Sequence, residues 1–125
     1  MDGYGTAGGG PRFTVDVRWS GRTAVVAVAG ELDHDHAEPL REAISEALER
    51  GAERIVVDCG RLAFCDSTGL NILLRGRLEA REAGSSVELA ALGPTVARMF
   101  DITGAKAVFT VYPELPEDLA DGERP

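Results

Sequence analysis

The residues best placed to do chemistry are Asp66-Ser67-Thr68-Gly69-Leu70, a short polar step between the apolar strand Ile55-Val56-Val57 and an apolar helix. Two roles are open to Ser67 on local chemistry. Its hydroxyl can cap the helix, a contribution of roughly 1 kcal/mol, or it can accept a phosphoryl group from a protein kinase. A phosphate there would meet the free amides and positive dipole end of the helix, so the modified domain need not unfold. Asp33-His34-Asp35-His36 invites a metal reading, but ligands so tightly spaced cannot all converge from one extended turn, and no metal or other cofactor is expected. A carboxylate at Asp33 or Asp35 instead suits a loop before a helix N-terminus. Cys59 and Cys65 follow no ligand or redox spacing and read as buried thiols. Gly3-Tyr4-Gly5-Thr6-Ala7-Gly8 matches a dinucleotide-loop pattern, yet it lacks the strand before and the helix after that such a loop requires. Ser67 has no His within its motif and does not sit in a nucleophile elbow, so no catalytic residue is assigned and an enzyme is not expected.

The elements that must position these groups follow from periodicity. Phe13 to Trp19 alternates apolar and polar residues, Ser20-Gly21 turns, and Thr23 to Ala29 is apolar on both faces. This predicts a hairpin whose first strand is a half-exposed edge and whose second is central, with helices on either side. A helix is predicted from about Ala37 to Arg50, with Leu40, Ile44, Ala47 and Leu48 inward, then a strand over Arg54 to Asp58. The second helix is predicted from about Ser67 to Ala83 with Leu70, Leu73, Leu74 and Leu78 as its buried stripe. A strand at Ser86 to Leu92, a short helix with Val96, Met99 and Phe100 inward, and a last strand at Val108 to Tyr112 complete the pattern. The alternation predicts an α/β domain with a mixed, mostly parallel sheet of about four to five strands. Residues 1–12 are expected to be a disordered glycine-rich leader, 13–112 a single domain, and 113–125 an acidic tail with room for one helical turn. In open α/β sheets functional residues gather beyond the carboxyl ends of the strands, so Asp33 and the Asp66 to Gly69 step are expected to be neighbours.

Composition narrows the partners. One globular domain is the natural content of 125 residues that are 44% hydrophobic and 27% charged. A net charge of -8, with 13 cations against 21 anions, argues against a nucleic-acid partner. No apolar run approaches the ~20 residues of a spanning helix, and the N-terminus lacks a signal-peptide pattern, so no membrane partner and a cytoplasmic location are expected.

The stretch Val57-Asp58-Cys59-Gly60-Arg61-Leu62-Ala63-Phe64-Cys65-Asp66-Ser67-Thr68-Gly69-Leu70, together with Gly30-Glu31-Leu32-Asp33, resembles the signatures of anti-sigma factor antagonists, small bacterial proteins made of one STAS domain. The resemblance covers roughly residues 13–112 and includes Leu40 to Ile44, Thr103-Gly104 and Phe109 to Pro113. It implies that Ser67 is phosphorylated by a partner that is both anti-sigma factor and serine kinase, and that a phosphoserine phosphatase resets it. The unphosphorylated form would bind that partner and free the sigma factor. The partner would cover Asp33, Asp66, Ser67, Thr68, Gly69 and Asn71, with Gly69 offering no side chain to obstruct approach. Against the family pattern, the leader is unusually glycine-rich and the Asp33 to His36 segment unusually acidic. A non-switching STAS scaffold or subunit of a signalling or transport complex is the alternative, with Ser67 reduced to a cap.

Overall fold

The computed structural model describes residues 6–10 and 12–120 of the chain. Its strands are β1 (Thr6–Gly10), β2 (Phe13–Ser20), β3 (Thr23–Leu32), β4 (Arg54–Cys65), β5 (Val87–Ala90) and β6 (Val111–Tyr112). Its helices are α1 (Glu38–Glu49), α2 (Ser67–Glu82), α3 (Pro94–Thr103) and the single turn α4 (Glu117–Ala120), with a 3-10 turn at Ala105–Ala107. The strands lie in one sheet in sequence order. β1, β2 and β3 pair antiparallel, and β3 through β6 pair parallel, which is the mixed α/β arrangement the alternation of elements predicts.

The sheet has six strands rather than four or five because residues 6–10, expected in a disordered leader, run antiparallel along β2. β2 is therefore not an edge. Composition misled here because ladder hydrogen bonds need no side chain to bury, and an open strand edge is a ready template for another strand. The chain is held where it enters β2: Arg12 O accepts a hydrogen bond from Glu31 N at 2.8 Å. Gly30 makes that crossing possible, since its φ is +97° and a Cβ there would lie 2.0 Å from Arg12 O. Residues 1–5 and 11 of the expected leader lie outside the described residues.

Helices cover one face of the sheet and a chain segment covers the other. Val26, Val28, Ile55, Val57 and Leu89 meet Leu40 and Ile44 of α1, Leu73 of α2 and Phe100 of α3 in the main core. The opposite face was expected to carry helices too. It is closed instead by the segment after β6, whose Leu119 packs on Val25, Val56 and Ala90, and whose Leu119 carbonyl accepts a 2.6 Å hydrogen bond from Arg18 Nη1. The same face carries a polar cluster in which Arg54 Nε donates to Glu88 Oε1 (2.8 Å) and Tyr112 OH donates to the same oxygen (2.9 Å).

Two further elements differ from expectation near the site. β4 does not stop at Asp58 but continues to Cys65, and the period-two burial of Ile55, Val57 and Cys59 gives way to Leu62 and Cys65. α2 turns Gly69, Leu70, Leu73, Gly76 and Ala80 inward, leaving Leu74 partly exposed and Leu78 53% exposed. Close approach decides the orientation. A Cβ on Gly76 would lie 3.1 Å from Ile44 Cδ1, so the small residues face α1 and the bulkier leucines roll outward. β5 is shorter than predicted, and of the last predicted strand only Val111–Tyr112 pairs in the sheet.

Candidate functional site

β3 and β4 run parallel, and the pair Leu32↔Cys65 closes their ladder. The next residue on each chain is an aspartate, so Asp33 and Asp66 emerge side by side at the carboxyl end of the sheet. Asp66 is the single residue between β4 and α2. Its backbone is extended, with φ -98° and ψ -174°, and it is the N-cap. Oδ1 accepts from Gly69 N at 3.0 Å, Oδ2 accepts from His34 N at 3.1 Å, and its own amide donates to Leu32 O at 3.1 Å. One carboxylate thus ends an orphan helix donor and ties the loop after β3 to the start of α2.

Ser67 is not the cap. It is the first residue of α2, it is exposed, and among the described residues its hydroxyl has no hydrogen-bond partner. The amides of Ser67 and Thr68 precede the first turn's acceptors and have no partner within the helix. Thr68 is partly buried and Asn71, one turn on, is exposed. Gly69 differs from its expected role as an open approach for a partner, because it is buried. A Cβ there would meet Leu32 Cγ at 2.6 Å and Leu32 O at 3.0 Å. Glycine at this position lets α2 start hard against the end of β3, which fixes where Ser67 stands.

The loop after β3 has its own internal brace. His36 Nδ1 and Asp33 Oδ1 are 2.6 Å apart, and Asp35 N donates to the same oxygen at 3.1 Å. The hydrogen bond with His36 is the main reason the Asp33 carboxyl is held below the ordinary carboxylate range, against the opposing effect of desolvation. Among the described residues no three His, Cys, Asp or Glu side chains are gathered as metal ligands. Burial pushes both free thiols up: Cys59 well above its ordinary value, and Cys65, with Asp66 adding to the effect, to about 12. Both remain protonated and inert at neutral pH.

The sequence places Asp33 and the Asp66 to Gly69 step side by side, but it does not show the bond from His34 N to Asp66 that ties the two loops. An aspartate one residue past each of two paired parallel strands was the available signal. That signal gives the neighbourhood of the two loops, while the predicted end of β4 at Asp58 rather than Cys65 hides that each aspartate directly follows its strand. The pairing of Asp33 with His36 was likewise readable from their three-residue spacing within one turn.

The chemistry this geometry offers is attachment of an anion to an exposed, uncommitted hydroxyl at a helix start. Residues 15–111 match the family described as Mlab, STAS domain. The anti-sigma-B factor antagonist of Bacillus subtilis is 32% identical over 99 residues, which is 79% of this chain and 90% of that protein. Among solved structures, an anti-sigma factor antagonist from Mycobacterium paratuberculosis superposes with a TM-score of 0.78 at 28% identity, covering 89% of this chain and 95% of that one. The anti-sigma factor antagonist SpoIIAA in its unphosphorylated form follows, with a TM-score of 0.70 at 30% identity over 85% of this chain and 91% of that one. The Bacillus cell fate determinant SpoIIAA in the phosphorylated form gives 0.64 at 29% identity over 85% of this chain and 95% of that one. With the fold, the two signature loops and these likenesses in agreement, the chain belongs to the STAS-domain anti-sigma factor antagonist family.

Proposed function

We propose that this protein is a serine-switched anti-sigma factor antagonist, in which unmodified Ser67 is part of the surface that captures an anti-sigma factor and phosphorylated Ser67 releases it. The observation that carries this reading is the uncommitted hydroxyl. Because Asp66 performs the capping, Ser67 is free for modification at no cost in helix stability. A similar protein, SpoIIAA, exists in unphosphorylated and phosphorylated forms, which supports a phosphate switch for the family. The partner is an anti-sigma factor that also acts as serine kinase, a phosphoserine phosphatase reverses the mark, and the exchange takes place in the cytoplasm. This chain is then the substrate, not an enzyme. Asp33, Asp66, Thr68 and Asn71 surround Ser67 as the contact surface.

The switch is electrostatic. Phosphate adds about -1.5 to -2 charges beside Asp33 and Asp66. At a covered interface an unpaired charge costs several kcal/mol, or more than about a hundredfold in affinity. Titration calorimetry against the kinase partner should give tight binding for wild type and Ser67→Ala, weaker binding for Ser67→Asp, and the weakest for the phosphoform. Far-UV circular dichroism should be the same for all four. Equal affinities across the series, or phosphate mapped to Thr68, would remove the switch and leave the non-switching scaffold in its place.

A further inference from the structure

β4 outruns its neighbour on one side. Of its 12 residues only Ile55 to Asp58 pair with β5, because Ala91, with φ +62°, turns the chain away after β5 and into α3. On the other side the β3 ladder continues to Cys65. Gly60 N is taken up by Asp58 Oδ1 at 3.0 Å, but from Arg61 to Cys65 no backbone bond is made outside that ladder among the described residues. Alternate residues of a strand turn their N–H and C=O toward opposite edges, so this stretch presents unpaired donors and acceptors on its β5 side. A bulge then arranges the side chains. Gly30 pairs with Leu62 and Glu31 with Phe64, which makes Ala63 the extra residue. The slip leaves both Leu62 and Cys65 buried, while Arg61 and Phe64 are exposed together, Phe64 at 45%.

We infer that the open edge from Arg61 to Cys65 accepts an extended segment of the anti-sigma factor, added beside β4 as a further strand, with an apolar side chain of that segment packed on Phe64. This rests on the reading that the same partner engages Ser67. The backbone itself dictates the occupant. A row of free N–H and C=O groups is matched by another extended chain, and not by a helix, whose own groups are bonded internally. Continuity dictates the partner. The edge runs into Asp66 and Ser67 without a break, and Phe64 stands three residues, or about 10 Å, before the serine. A protein that brings an active site to the Ser67 hydroxyl meets the strand that delivers it. A second copy of this chain is the poorer occupant, since each copy carries a net charge of -8 and sets Asp33, Asp35 and Asp66 beside the edge. Main-chain pairing supplies affinity and holds Ser67 in register, and Phe64 supplies selectivity.

Amide hydrogen exchange followed by NMR, on the full chain alone and with the anti-sigma factor, reads the backbone directly. Binding should slow exchange at least about tenfold at the amides between Arg61 and Cys65 that β3 leaves free, in the every-second-residue pattern of a new ladder. A contact through side chains alone does not produce that pattern. In calorimetry Phe64→Ser should weaken binding about tenfold, and Phe64→Leu should stay near wild type. A complex in which these amides exchange as they do in the free chain overturns the inference. So does protection that appears in the chain alone and grows with its concentration, which would give the edge to a second copy. Ser67→Asp separates this inference from the switch. If it leaves affinity unchanged while the ladder pattern persists, the edge stands and the switch fails; if it weakens binding and wild type shows no ladder pattern, the switch stands and the edge falls.

Discussion

The two sides of α2 obey different rules. The inward side is fitted to fixed neighbours: Gly69 against Leu32, Gly76 against Ile44, and Leu73 and Ala80 fully covered. On the outward side Ser67, Asn71 and Leu78 are exposed, and only Leu74 keeps a partial contact with the core. Position is set by the inward side, and the proposed recognition falls to the outward one. A substitution inward should move stability and carry the switch along passively. A substitution outward should change binding while the fold stays as it was.

The largest stability effect is expected at Gly69. Its Cβ would meet Leu32, including that residue's backbone oxygen, so Gly69→Ala should cost about 2 kcal/mol, within the range for overpacking a tight core. Denaturant unfolding would measure it, and a neutral result would show that α2 can shift outward freely. Asp66→Ala comes next, with a loss of about 1 kcal/mol for the cap. The same variant frees His34 N from Oδ2, so amide exchange in the loop after β3 should quicken together with that of the first turn of α2. Faster exchange in α2 alone would mean the two segments are not joined through Asp66. Ser67→Ala should be the smallest, within about 0.5 kcal/mol of wild type, the usual range for a surface change away from any cap or core. A drop near 1 kcal/mol in urea unfolding would mark Ser67 as a cap after all and blur the division between the sides.

How much of this was legible in the sequence depended on whether one element or two decided the outcome. Strand alternation in Phe13 to Trp19 and the helical spacing of Leu40, Ile44 and Ala47 are properties of single segments, and they gave the hairpin and α1 directly. The Asp66-Ser67-Thr68-Gly69 step was recognisable for the same reason. The facing of α2 was not, because Leu74 and Leu78 fit a buried stripe as well as Leu73 does until Ile44 arrives opposite Gly76. β4 was cut short since Gly60, Arg61, Ala63 and Phe64 are exposed and break its alternation, although backbone pairing carries it to Cys65. At the site itself the residue types were readable, but the choice of Asp66 over Ser67 as cap is set by which residue adopts extended φ and ψ. That one-residue difference converts Ser67 from a structural group into an available one.

The bond between Arg18 and the Leu119 carbonyl joins residues 101 apart in sequence, and this has a consequence for biogenesis. With strands in sequence order, each strand can add to the one made just before it as the chain leaves the ribosome, and the helix-covered core assembles progressively. The opposite face cannot be finished in that way. Val25, Val56 and Ala90 stay at least partly open to solvent until Tyr112, Leu115 and Leu119 have been synthesised and drawn down onto them. A nascent chain stalled before those residues would display an apolar sheet face on an otherwise formed domain, the kind of surface that chaperones hold and that promotes aggregation.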